Sequence, residues 1–365
     1  MTIHKLSALV LALSIAGCGD GSDTEPEKLP VEPTPAPEGE PWETLAEWRL
    51  FENAAAQLPA NRVVPYDVIS VLFADDSRKE RFLWIPPGTT IGWRDAERWQ
   101  FPIGSIAIKS FWFPNDERDP KAGRRLLETR LLINESSGWK GHTYVWDEAQ
   151  TGAVRVIPGR NLEVSYVDAA GEVHQQRYQV PNEDHCEECH GVAPDTHLLG
   201  PRTRQLDRVH DYGGGPVNQI DHLAELGMFD VAPPPSRLHF EDPLGNGPIV
   251  DRARAYLDAN CSHCHNPDAV AASTNFWLDY DHTDPMTGNP INWGVCKFPT
   301  SAGPASGGHT YDIVPGRPDE SILVFRMEST KANEKMPPIP TRLSDGAGTA
   351  VMREWIAAMP YQPCQ

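Results

Sequence analysis

Apolar residues recur at every second position through much of the chain from residue 42 to about 180. Leu162, Val164 and Tyr166 alternate with polar residues, Asp168 to Gly171 makes a turn, and an extended run resumes from Val173 to Val180. Phe82/Trp84, Ile106/Ile108 and Val154/Val156 repeat the habit, and Pro-Gly pairs at 87–88 and 158–159 interrupt it. A period of two sends alternate side chains to one face of a strand, so this region predicts a β-rich domain. A helix is expected just before it, near Glu43 to Ala56. Eight of the eleven tryptophans precede residue 150. Core packing is the plain explanation, and an aromatic surface for a sugar or a partner is the alternative.

From about residue 245 the period lengthens. Ile249, Ala253, Tyr256 and Leu257 form one face of a helix that runs into Cys261, and Val351, Trp355, Ile356 and Met359 predict a closing helix. Between them lies a proline-stopped loop, Val314 to Ser321, with Asp319 or Ser321 placed to cap a helix from Ile322. A further helix is expected from Asn218 to Gly227. At the other end, Lys5 followed by an apolar stretch from Leu6 to Ile15 is too short to span a bilayer and predicts a secretory signal. Ile15-Ala16-Gly17-Cys18 resembles a bacterial lipobox, in which Cys18 carries lipid as the first mature residue. The alternative is an ordinary signal peptide cut near Ala16 or Gly17. Gly19 after the cysteine, in place of aspartate, points to the outer membrane of a Gram-negative bacterium. Residues up to Pro41 are rich in Pro, Glu and Asp and predict a solvated tether.

Two copies of one pattern carry the chemistry: Cys186-Glu187-Glu188-Cys189-His190 and Cys261-Ser262-His263-Cys264-His265. C-x-x-C-H is the attachment motif of c-type haem, where both sulfurs bond to one edge of the porphyrin and the histidine becomes an iron ligand. A zinc site or a redox dithiol is the alternative, although neither requires a histidine after the second cysteine. Two covalently attached haem c groups are expected, with His190 on the first iron and His265 on the second. Haem attachment outside the bacterial cytoplasm agrees with the export signal.

Lys335-Met336-Pro337-Pro338 presents a thioether from a loop stiffened by two prolines, so Met336 is the expected sixth ligand of haem 2. No such loop follows the first motif. Its distal ligand is left open among His197, His210, His222, Met228 and His239. Of seven cysteines, Cys18 takes lipid and four take haem. Cys296 and Cys364 then form a disulfide in an oxidising compartment, or stay as two unrelated buried thiols. Asp279, Asp281 and Asp284 lack the glycine and terminal glutamate of a calcium loop, and Gly213 to Gly215 lack the lysine of a phosphate cradle. No nucleophile set stands out. The net charge of −19 argues against nucleic acid or an anionic lipid surface as partner and permits steering toward a cationic protein.

The chain resembles a family of dihaem c-type cytochromes of Gram-negative bacteria often encoded beside a parallel β-helix repeat protein. The resemblance runs from about residue 45 to 360. It rests on Val64-Pro65-Tyr66-Asp67, Glu128 to Leu131, Tyr144 to Gln150, the two motifs, Tyr311 to Pro315 and Met327 to Thr330. It implies the β-helix protein as a partner and adds no catalytic residue. The C-terminal part is also similar to class I cytochrome c. The expected architecture is multidomain: signal peptide over 1–17, tether over 18–41, a β-rich, Trp-rich domain over 42–180, a first haem segment over 181–244, and a mostly α-helical, class I-like cytochrome c domain over 245–365. The function expected is electron transfer by a periplasmic dihaem cytochrome tethered to a membrane by lipid, exchanging electrons with redox proteins. One alternative is a dihaem peroxidase or oxidase with an open site at haem 1. The other is a substrate-binding redox partner of a periplasmic enzyme.

Overall fold

The computed structural model describes residues 29–192, 194–338 and 341–365. The signal, Cys18 and the tether as far as residue 28 lie outside the described residues. Where an opening helix was expected, Thr44 and Glu47 form a capping box, but only a 3-10 turn follows, Leu45–Trp48, because Arg49 adopts φ 50° and ends it. A two-stranded ribbon comes next, β1 (Phe51–Asn53) with β2 (Leu58–Pro59).

The strands β3 (Val64–Tyr66), β4 (Arg78–Trp84), β5 (Ile106–Pro114), β6 (Arg124–Glu135), β7 (Gly138–Trp146) and β8 (Ala153–Arg155) make one antiparallel sheet in sequential order. Its two faces follow from the register. Phe82, Trp84, Ile106, Ile108, Leu131, Tyr144 and Trp146 share the first face and pack on Leu45, Trp48 and Leu50. Inside this core the Trp48 indole N–H donates to the Tyr144 hydroxyl at 2.6 Å. The tryptophans here are largely core, not a display surface.

The second face is covered in two separate places. The hairpin of β9 (Arg160–Val167) and β10 (Val173–Val180) lays Val164, Tyr166 and Tyr178 on Phe111, Phe113, Leu127 and Val145. At the other end, the segment 198–229 sets Leu198, Leu206, Ile220 and Leu223 on Leu83, Ile85 and Ala107. That segment holds α2 (Thr203–Leu206), the ribbon β11 (Val209–Asp211) with β12 (Pro216–Asn218), and α3 (Gln219–Glu225). Just before it stands the one-turn helix α1 (Cys186–His190). Between the two covers a strip of the sheet face borders a cleft.

The C-terminal region corrects the expected fold class. It has three α-helices, α4 (Ile249–Asn260), α5 (Ile322–Glu328) and α6 (Gly346–Ala358), of 12, 7 and 13 residues. Loops and short 3-10 turns fill the rest, so the described residues form no mostly helical, class I-like cytochrome c domain. Pro285, Pro290, Gly294, Pro299, Gly303, Pro304, Gly307 and Gly308 break helical hydrogen bonding across the long middle stretch. Nor is the body multidomain: Val31–Gln365 forms one compact unit. Helices α4, α5 and α6 pack around Tyr256, Leu257, Val324, Met352 and Trp355. Asn260 joins this end to the sheet end, accepting from the Phe73 amide at 2.8 Å and donating to the Val71 carbonyl at 3.2 Å.

Cys296 and Cys364 are bonded, with Cα atoms 5.1 Å apart across a separation of 68 residues. Closing a loop of that length restricts the unfolded chain by about 4 kcal/mol in the chain-entropy account. Replacing both cysteines by serine is expected to lower stability by up to that amount in denaturant titrations. Peptide maps of unreduced protein should recover the linked pair, and two alkylatable thiols there would contradict the bond.

Candidate functional site

The first motif begins where β10 ends. Asn182 caps the turn by accepting from the His185 amide at 2.9 Å, and the chain winds into α1. One helical turn sets Cys186 and Cys189 three residues apart on the same side. Gly141 of β7 lies directly beside Cys186, and a Cβ there would sit 2.8 Å from its sulfur. The His190 ring is held through Nδ1, 2.7 Å from the His197 carbonyl oxygen. A carbonyl can only accept, so Nδ1 carries the proton and Nε2 keeps its lone pair. Burial pushes the His190 pKa down to about 3, leaving the ring neutral.

The second motif repeats the arrangement from a different starting element. Helix α4 delivers Cys261, and the His265 amide donates back to the Cys261 carbonyl at 2.9 Å. His265 Nδ1 lies 3.1 Å from the Phe276 carbonyl oxygen, and burial lowers this ring to about 4. Burial pushes the Cys261 thiol up to about 12. Met336 lines the same cleft as Cys261, Cys264 and His265, with Met327 nearby. Its loop is pinned from inside: the Lys335 ammonium donates to the Pro337 and Pro338 carbonyls at 2.9 and 2.8 Å, and the Met336 amide donates to the Arg326 carbonyl at 2.9 Å.

The two motifs meet. Cys189 and His263 border both clefts, and the ligand atoms of Cys189, His263 and Cys264 all lie within 4.8 Å of one another. The Cys264 thiol also reaches the Glu188 carbonyl at 3.4 Å. Both clefts are partly open to solvent. All four motif cysteines are unbonded. Each cleft is bordered by both cysteines and the histidine of one motif, with the second nitrogen of that ring unengaged. That donor set fits a covalently held haem, with His190 and His265 as the ligating residues.

None of the five distal candidates of the first motif borders its cleft. His197 carries the carbonyl that holds His190, so it stands behind that ring. His210 and His222 pack on Tyr212, Met228 is buried in the core beside α3, and His239 lies near Glu241. The aspartates 279, 281 and 284 do not converge, each facing its own partner: His282, Arg204 and Arg254. The amides of Gly213 and Gly215 are taken by the Asp211 carboxylate.

Sequence reasoning missed the charge on the opposite wall of the first cleft. Arg81, Lys109 and Arg130 are direct cross-strand neighbours on β4, β5 and β6. Arg98 and Arg202 border the same cleft. The Arg130 guanidinium donates twice to the fully buried Glu128, at 2.9 and 2.6 Å, and the Tyr178 hydroxyl donates to the same carboxylate at 2.6 Å. Arg81 meets Asp67 at 3.2 Å, and Arg202 pairs with Asp258. Lys109 makes no ion pair among the described residues. Its ammonium lies 4.9 Å from the centre of the Phe111 ring, which Arg130 approaches at 4.3 Å. A ring face offers a desolvated cation about 2 kcal/mol or more, which is attraction without a neutralising charge. Burial, then Arg81 and Arg130, hold the Lys109 amine well below its ordinary pKa. Charged residues at inward-facing positions of otherwise apolar strands were the available signal.

Comparison with family models, with curated proteins and with solved structures finds no match for this chain.

Removing the buried carboxylate should leave Arg130 uncompensated among other cations. Glu128→Ala is expected to cost about 3–5 kcal/mol in denaturant unfolding. A loss below about 1 kcal/mol would contradict the pairing described here.

Proposed function

We propose that this chain is an electron-transfer protein holding two covalently attached haem c groups. The observation that carries the reading is the same in both motifs. An imidazole anchored through Nδ1 to a backbone carbonyl offers Nε2 beside two free cysteines that border a cleft. Haem, when bound, supplies a one-electron iron couple. Cys186 with Cys189, and Cys261 with Cys264, form the thioether bonds. His190 and His265 ligate through Nε2, and the His197 and Phe276 carbonyls keep each ring in the ligating tautomer. Met336, from its lysine-pinned loop, gives the second iron a thioether, which favours the reduced state more than imidazole does. Cys189 and Cys264 stand on one shared wall, so both attachment sites adjoin it and the transfer path is short. Lipid on Cys18 would tether the protein at the periplasmic face of a membrane, where a redox protein, the β-helix partner included, would exchange electrons with it.

One observation favours a second reading. Cys189, His263 and Cys264 lie close enough to hold a single soft metal ion such as zinc. A metal there would consume one cysteine of each motif and leave Cys186, Cys261, His190 and His265 without a role.

Attachment separates the two. Protein matured in a haem-competent periplasm should keep two haems after denaturation, by haem staining and intact mass. Cys186→Ala with Cys189→Ala should remove one, and Cys261→Ala with Cys264→Ala the other. Haem-free protein carrying one zinc would establish the second reading instead.

The Met336 assignment has its own signature. Ferric wild-type protein should show the weak near-infrared sulfur-to-iron band, lost in Met336→Ala. Met336→His should keep the haem low-spin while lowering its potential. A band that survives Met336→Ala would move the ligand to Met327, which borders the same cleft.

A further inference from the structure

The first cleft has one wall made by α1 and the loop after it, and an opposite wall made by the second face of the sheet. His190 stands on the first wall. On the sheet wall, side chains facing the cleft fall in rows fixed by strand register. One row runs Leu83, Ala107, Leu132, Gly141, and the next runs Arg81, Lys109, Arg130, Thr143. Gly141 marks the attachment side, because it touches the Cys186 sulfur. Moving away from β7 along the second row, Arg130 comes first, then Lys109, then Arg81, at the usual strand spacing of about 4.8 Å. Lys109 therefore occupies the middle of the sheet wall, one strand further from the attachment side than Arg130.

The other nitrogen donors bordering this cleft are placed differently. Arg81 and Arg130 carry guanidinium groups, which do not give up a proton to ligate a metal, and both are already paired with carboxylates. His142 belongs to the opposite face by strand alternation: it follows Gly141 and precedes Thr143, and its Nδ1 lies 3.3 Å from Glu183. The His263 ring nitrogen lies within 4.8 Å of the Cys189 sulfur, at the attachment edge. His185 stands one residue before Cys186, on the same wall as His190. Lys109 is left: central, facing the cleft, without an ion pair, and flanked on both neighbouring strands by arginine.

We propose that the amine of Lys109 is the sixth ligand of the haem 1 iron, opposite His190. This rests on the dihaem reading and completes it at the centre whose distal ligand the sequence left open. Coordination uses the amine lone pair, so the ammonium proton is released to solvent as the bond forms. Arg81 and Arg130 favour that release, because each cation makes a third charge on the row less tolerable. The placement closes haem 1 to peroxide and oxygen in the resting protein and makes it a relay centre like haem 2.

The test uses the full chain with both haems attached, confirmed first by mass. In ferric protein labelled with nitrogen-15 in lysine alone, pulsed electron paramagnetic resonance should detect a nitrogen-15 coupling on one of the two low-spin centres. Lys109→Arg keeps about the same length but cannot ligate, so half of the low-spin haem should become high-spin and the lysine coupling should vanish. Lys109→Met keeps the volume and offers a thioether, so it should restore a low-spin centre with a second sulfur-to-iron band. Two haems with no lysine coupling in the wild type, or a low-spin population unchanged in Lys109→Arg, would overturn the ligand and leave the dihaem reading standing. A high-spin haem 1 in the wild type would overturn it in favour of an open, peroxidase-like centre. Protein without covalent haem would overturn the dihaem reading itself, and this proposal with it.

Discussion

A neutral imidazole can give a metal one lone pair only when its other nitrogen keeps the proton. In both motifs a backbone carbonyl enforces that choice, His197 for His190 and Phe276 for His265, at 2.7 and 3.1 Å. The rest of the structure serves to place those two carbonyls. The first belongs to the loop leaving α1, where Gly191 at φ 83° turns the chain so that His197 and His190 also exchange a backbone bond at 2.8 Å. The second belongs to the loop after α4, with the Leu278 amide returning to the His265 carbonyl at 2.8 Å. Each ring is thus held by a small closed loop and not by distant packing.

The clefts come from incomplete coverage of a sheet. One face of β3 to β8 is filled with aromatic and branched side chains. The other is capped at one end by the β9–β10 hairpin and at the other by the segment around α2 and α3. A strip left between two covers would ordinarily be apolar. Here it carries Arg81, Lys109 and Arg130, with one buried carboxylate, Glu128, beside them. Cations directly opposite one another destabilise a sheet, and the carboxylates of Asp67 and Glu128 offset two of the three.

Much of this was legible in sequence, and the losses have physical causes. The alternations at Phe82/Trp84, Ile106/Ile108 and Leu162 to Tyr166 lie in strands, and α4 and α6 lie where the 3.6-residue period placed them, because both signals are local. The two cysteine–histidine motifs were legible because each is complete within five consecutive residues. The helical C-terminal domain was wrong: two good helices flanking a cysteine motif say nothing about a long Pro- and Gly-rich stretch between them. Lys109 was invisible, since its position depends on register with β4 and β6 and on two covers distant in sequence. The same holds for the meeting of Cys189 with Cys264. Pairings across 75 residues are set by tertiary packing, and no local period records them.

The most direct measurement is diffraction from crystals of the mature protein, collected on both sides of the iron absorption edge. Two anomalous iron peaks should appear, one beside His190 Nε2 and one beside His265 Nε2, each with continuous density to both cysteines of its motif. A single peak at the zinc edge among Cys189, His263 and Cys264, with no iron in either cleft, would contradict the account.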